Sequence, residues 1–288
     1  MWLESLAIFA AGAWAGLINV IVGSGTLVTF PVLIMLGYPP LTANISSGIG
    51  LVAGSITGAV GFRREIAEQR SLALLLLPAG AAGGLAGGLL LLVLPPEAFS
   101  LIVPVLVGLG IVMVVVAPML QRWIAKRRVA VVAAVTGATA VIEDGVPDVH
   151  EPGVPGAPGH DGLAGMNLRH RIVMIAAVFV LGLYGGYFGA ALGVIMLGAL
   201  SLLSTIELTK LNALKNLLIV GINGVSATLF IIVANEYISW RAVALLAIGA
   251  TLGGLIGARI GRRIPDWVLR TTVVVVGTIA LVNLIVNS

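Results

Sequence analysis

Gly16-Leu17-Ile18-Asn19-Val20-Ile21-Val22-Gly23-Ser24-Gly25-Thr26 lies inside an apolar run that extends from about Leu6 to Leu36. One helical crossing of a bilayer needs about 20 apolar residues, so the run is too long for a single span. Gly23-Ser24-Gly25 interrupts it, and glycine disfavours helix by about 1 kcal/mol per residue. The spacing predicts a broken or re-entrant helix hairpin. A second run, Ile172 to Leu203, repeats the pattern, with Gly185-Gly186, Gly189 and Gly193 at the break. Six plainer segments accompany them: Leu41 to Phe62, Leu72 to Leu94, Phe99 to Leu120, Leu211 to Val233, Ala242 to Ile260 and Trp267 to Val286.

Composition points to lipid as the solvent. Hydrophobic residues make up 59% of the chain and charged residues 10%, with a mean hydropathy of +1.13. Soluble domains average roughly 45–50% and about 25%. The basic pI of 9.9 does not imply nucleic acid, because the basic residues stand at the ends of apolar segments, where they act as topology signals. Met1-Trp2-Leu3-Glu4 lacks the basic patch of a signal peptide and no small-residue cleavage site follows, so the amino terminus is expected to be retained. Cysteine is absent, which removes disulfides and thiolate chemistry. His150, His160 and His170 fall in or beside a polar stretch without ligand-like spacing, so no metal and no cofactor is expected.

The chain reads as a first transmembrane repeat over 1–121, a cytoplasmic and partly disordered linker over 122–168, and a second transmembrane repeat over 169–288. Glu143-Asp144-Gly145-Val146-Pro147-Asp148 and the Pro/Gly-rich stretch after Pro152 give the linker its disorder-prone composition. The halves match at an offset that drifts from 166 residues (Gly16 to Gly182) to 170 (Gly83 to Gly253), with Asn44 opposite Asn212 and Phe62 opposite Phe230 between them. Glycines at every fourth position, Gly80, Gly84 and Gly88 against Gly249, Gly253, Gly257 and Gly261, suit close helix packing.

Charge sets the orientation, since short Lys/Arg-rich loops stay cytoplasmic. Arg63, Arg64 and Arg70, the linker's two ends, Lys210, and the cluster Arg259, Arg262, Arg263 and Arg270 are all expected inside. The fifth apolar run then starts and ends inside, so it crosses an even number of times and is a hairpin. By repeat symmetry the first run is a hairpin too. The expected fold is an all-α polytopic membrane protein of two inverted repeats, each with a re-entrant hairpin and three transmembrane helices. Both termini are external and the protein sits in the cell (plasma or inner) membrane. Inverted repeats with broken helices are a common build for secondary transporters, which bind solute near the midplane.

The quoted stretch, with Phe30-Pro31-Val32-Leu33 and Ala43-Asn44, resembles the sulfite exporter TauE/SafE family of membrane transporters. Gly185-Gly186-Tyr187-Phe188-Gly189 and Asn212-Ala213-Leu214-Lys215-Asn216, with Phe230 and Trp240 downstream, are similar to that family's second repeat. Only the linker is uncovered. The resemblance implies carriage of a small anion: sulfite, a sulfonate or another organosulfur compound. Ser24 and Ala190-Ala191-Leu192 depart from the family's glycine-richer pattern at these places, which leaves the ligand open.

An anion leaving water needs fixed donors, and a helix start offers free N–H groups at the positive end of its dipole. The candidate substrate-binding residues are Gly23, Ser24, Gly25 and Thr26 at the first break, Gly189 at the second, and Asn44, Ser47, Asn212, Lys215 and Asn216 near the starts of the spans that follow. Competing readings are a tight turn for the glycines, helix capping for Asn44 and Asn212, and snorkelling to the headgroups for Lys215. Asn19 and Asn223 lie deep enough that each should bond across helices. Well inside the spans there is no Asp or Glu, and no catalytic constellation, so an enzyme is not expected. An anion channel is the chief alternative, and a membrane-embedded enzyme a lesser one. The expected partners are a small anionic substrate and the lipid bilayer, with no nucleic acid; a homo-oligomer is compatible with the sequence.

Overall fold

The computed structural model describes residues 2–136, 166–204, 206–260 and 266–287. His150, His160, Gly261, Arg262, Arg263 and most of the proposed linker lie outside the described residues. Those described form helices α1 (Trp2–Ile21), α2 (Thr26–Met35), α3 (Pro40–Gly61), α4 (Arg63–Glu68), α5 (Arg70–Val93), α6 (Pro96–Thr136), α7 (Leu168–Tyr187), α8 (Leu192–Leu203), α9 (Leu208–Val233), α10 (Trp240–Ile260) and α11 (Asp266–Asn287), with a 3₁₀ turn at Asn235–Tyr237. The described residues are all-α, and seven of their helices are long and apolar enough to cross a membrane. α6 continues as helix past residue 121 to Thr136. Its sequence there, Gln121 to Thr136, contains neither proline nor glycine to stop it.

Both long apolar runs are broken where glycine interrupts them. Gly23 has φ +85° and Gly189 φ +73°, a left-handed conformation that glycine adopts without steric cost. Ala191 shares that region at φ 56°, where an L-residue pays of order 1–2 kcal/mol. After the first break the chain turns back, because Gly25 lies against Ala15 and Asn19 of α1. The Tyr38 hydroxyl, just beyond α2, donates to Glu4 Oε1 at 3.2 Å, so α1 begins and α2 ends on the same side. In the second hairpin His170 Nε2 lies 2.5 Å from the carbonyl oxygen of Leu203, which closes that mouth in the same way.

The two hairpins enter the bundle from opposite ends. α3, with 22 residues, rises about 33 Å and carries the chain from the Glu4 end to α4 at the other end. There Glu68 pairs with Lys210 at 2.7 Å, which puts the start of α9 and the mouth of the second hairpin at the α4 end. Arg241, opening α10, returns to Glu4 at 3.4 Å. α11 runs antiparallel to α6, since Gly277 meets Ile111 and Gly108 meets Leu281, so both described chain ends lie at the Glu4 end.

Packing carries α10 and α11 of the second half onto helices of the first, and α5 and α6 of the first onto helices of the second. α1 and α3 pack on α10 from the second half, while α7 and α9 pack on α5 from the first; α2 meets α11 as α8 meets α6. Each trio runs parallel, α1, α3 and α10 in one direction and α5, α7 and α9 in the other. A Cβ on Gly253 would overlap the carbonyl oxygen of Ala13, and one on Gly83 that of Phe179, so equivalent glycine notches let α10 and α5 come to backbone contact. α3 also touches α9. Between the hairpins, Phe30 meets Phe188 edge-on at 5.2 Å and Phe99 meets Tyr187 at 5.9 Å, forming the aromatic floor of the core.

Candidate functional site

The two helix breaks touch. The Gly193 N–H, at the start of α8, donates to the Gly23 carbonyl at 2.9 Å, and a Cβ on either glycine would run into the other's Cα. Only two residues without side chains allow this approach. Beside the junction lies a cavity of about 30 Å³. It is walled by Thr26 at the head of α2, Asn44 and Gly48 of α3, Gly185, Gly186, Phe188 and Gly189 of the second tip, and Asn223, Ser226, Ala227 and Phe230 of α9. One water-sized group needs roughly 10–15 Å³ by this measure, so the cavity has room for only two or three such groups.

Thr26 brings the head of α2 to it. The backbone N–H groups of Ser24, Gly25 and Thr26 make no hydrogen bond among the described residues, because the turn spends its internal bonds on Leu27, Val28 and Thr29. Three free N–H groups at the head of a 10-residue helix, with Thr26 in the cavity wall, form an anion-binding arrangement. Ser24 Oγ is buried without a partner just before them.

Each hairpin tip is held by an asparagine from the opposite half. Asn44 Nδ2 donates to the Tyr187 carbonyl at 3.0 Å, and Asn216 Nδ2 reaches the Val20 carbonyl at 3.5 Å. Tyr187 and Val20 lie in the last turns of their helices, where carbonyls lack intrahelical partners. Asn44 and Asn212 are therefore not N-caps: both lie a full turn inside their helices, whose N-cap residues are Pro39 and Glu207. Asn19 bonds across to Ser55 Oγ at 2.9 Å as expected, whereas Asn223 faces the cavity. Ser226 Oγ donates to carbonyls of Gly84 and Ile222 and ties α9 to the exchanged α5.

Of the residues chosen from sequence, Thr26, Asn44 and Gly189 line the cavity, and Gly23 forms the junction beside it. Ser24, Gly25, Ser47, Asn212, Lys215 and Asn216 are not in its wall. Ser47 is buried with its hydroxyl unpartnered, and Asn212 keeps a buried Oδ1 without a donor. Lys215 does not snorkel: it is 0% exposed and its Nζ has no acceptor. Sequence reasoning passed over Gly48 and Ser226, although their spacing signals them. Gly48 is one turn beyond Asn44, and Ser226 is three residues beyond Asn223, on one helix face. A wider open groove of about 320 Å³, walled by Leu85, Gly224, Val225, Thr228, Leu229 and Ile232, has no charged group to recognise a solute. Among the described residues no cluster of His, Asp and Glu could hold a metal, and no Asp or Glu is buried.

The family model described as Sulfite exporter TauE/SafE matches residues 8–284. No curated protein and no solved structure matches the chain.

Proposed function

Because the chain belongs to the sulfite exporter TauE/SafE family of membrane transporters, we propose that it is a secondary transporter moving a small anion such as sulfite, a sulfonate or another organosulfur anion. The observation that carries this reading is the head of α2: Thr26 lines a small cavity between the two hairpin tips, and the N–H groups of Ser24, Gly25 and Thr26 make no hydrogen bond among the described residues. An anion there exchanges its water for fixed donors without needing a cation in the wall. Asn44, whose amide has one N–H beyond the bond to Tyr187, adds a side-chain donor, and Gly189 lets the second tip close down over the solute.

Access alternates between two inverted repeats. The opposed hairpin mouths support this, as do the two antiparallel helix trios, which touch through α3 and α9 and can rock about that contact. Charge orients the assembly in the cell membrane. Arg63, Arg64, Arg70, Arg169, Arg171, Lys210, Arg259 and Arg270 belong to the α4 end, which becomes cytoplasmic with the linker. Glu4, Glu97 and Glu236 belong to the other end, which becomes external with both termini. The buried part of the described protein offers no carboxylate relay for protons, so the carrier works as a facilitator or couples through backbone carbonyls and the substrate's own charge.

Radiolabelled sulfite flux into proteoliposomes tests this. Saturable uptake that continues without a pH gradient is the expected outcome. Uptake that strictly requires a proton gradient rejects the coupling reading, and resolved unitary currents in a planar bilayer replace the carrier with a channel.

A further inference from the structure

The repeat places a second wall under the first hairpin tip, and that wall differs in chemistry from the one lining the cavity. Asn44, Ser47 and Gly48 stand at i, i+3 and i+4, on one face of α3, and Asn44 and Gly48 look into the cavity below the second tip. At an offset of 168 residues the same face of α9 carries Asn212, Lys215 and Asn216, and Asn216 reaches Val20 in the first tip. Where α3 presents the neutral Ser47, α9 presents Lys215.

Lys215 is wholly enclosed, and its Nζ, with three donors to satisfy, has no acceptor. One turn away Asn212 holds a buried Oδ1 that is likewise unpartnered. Leaving a lone cation in a protein interior costs several kcal/mol, and such groups inside membrane spans face a partner or a pathway. α9 packs on α3, α4, α5, α7 and α8, and its salt bridge to α4, Glu68 with Lys210, lies more than a turn toward the helix start.

We propose a second anion-binding site at Lys215 and Asn212, beneath the first hairpin tip and separate from the cavity at Thr26, Asn44 and Gly189. It takes a small oxyanion, whose charge Lys215 complements, while the Asn212 amide, flipped so that Nδ2 takes the buried place of Oδ1, donates to one oxygen. The proposal rests on the anion-transport reading and adds to it a second station, so that each hairpin tip has one and the solute passes between them.

The test is equilibrium binding of radiolabelled sulfite to the full chain in nanodiscs, comparing the unaltered protein with Lys215→Met, Lys215→Arg and Asn44→Ala. The unaltered protein binds two equivalents. Lys215→Met binds one, Lys215→Arg keeps two, and Asn44→Ala keeps the Lys215-dependent one. Lys215→Met, which removes a lone buried charge, also melts at a higher temperature without anion and gains less from added sulfite. Two equivalents in Lys215→Met, or one in the unaltered protein that survives Lys215→Met, overturns the second site and leaves the transport reading standing. If the unaltered protein binds no sulfite, the substrate reading fails, and the same series is titrated with sulfate, phosphate and acetate. A Lys215-dependent equivalent of any of these keeps the site; none overturns it.

Discussion

Replacing Gly23 by alanine attacks the point where the two broken helices meet. Three costs follow from the geometry. A φ of +85° is unfavourable for an L-residue by about 1–2 kcal/mol. The new methyl would overlap the backbone of Gly193, which cannot swing aside as a side chain would, and overpacking of this kind costs about 1–3 kcal/mol. Parting the tips lengthens the 2.9 Å bond from Gly193 to Gly23, worth about 0.5–1.5 kcal/mol. The sum is roughly 3–6 kcal/mol, a large share of the 5–15 kcal/mol of a typical domain. Gly37 is the internal control: its φ is +86° but nothing lies within 4 Å of its added Cβ, so Gly37→Ala should pay the conformational cost alone. Reversible unfolding in mixed micelles with increasing SDS gives both free energies, and sulfite flux gives the functional effect. Gly23→Ala should lose at least about 1.5 kcal/mol more than Gly37→Ala, and most of its flux. Equal losses for the two variants would refute contact between the tips.

Asn44→Ala strands the Tyr187 carbonyl and removes a polar group from the cavity wall, so it should cost about 1–2 kcal/mol and raise the KM for sulfite by more than it lowers the maximal rate. Asn19→Ala and Ser55→Ala in a double-mutant cycle should couple by about 0.6–1.7 kcal/mol, and additivity would remove that bond from the account. The chain has no cysteine, so single cysteines can report sidedness without background. Impermeant maleimide added outside intact cells should label a cysteine at Glu236 and spare one at Arg64; the reverse pattern would turn the protein over in the membrane.

The breaks in the first and fifth apolar runs were legible because glycine and chain length speak locally, and the even crossing count followed from Arg171 and Lys210 without any knowledge of packing. The repeat offset also named the pairs that turn out to act alike, such as Gly83 with Gly253. What could not be read was which helix lies beside which. α5 and α10 are apolar around most of their circumference, so no amphipathic stripe points to a partner, and their glycine notches fit several neighbours equally well in sequence. The cavity wall was half legible for the same reason: Thr26, Asn44 and Gly189 are marked by the breaks, but Ser226 acquires its role only when α5 arrives at α9. The depth of Lys215 was hidden too, since a lysine eight residues past the N-cap of α9 is within reach of the headgroups unless neighbouring helices close over it.

The swap of α5 and α10 has a consequence for synthesis. α10 (Trp240–Ile260) is made long after α3 ends at Gly61, so at roughly 5–20 residues per second the seam between α1 and α3 waits about 10–40 s for the helix that fills it. During that interval the half-built protein exposes backbone notches that its own later sequence must occupy. A gene cut between α6 and α7 should therefore yield two polypeptides that persist only when made together, each being the other's missing piece.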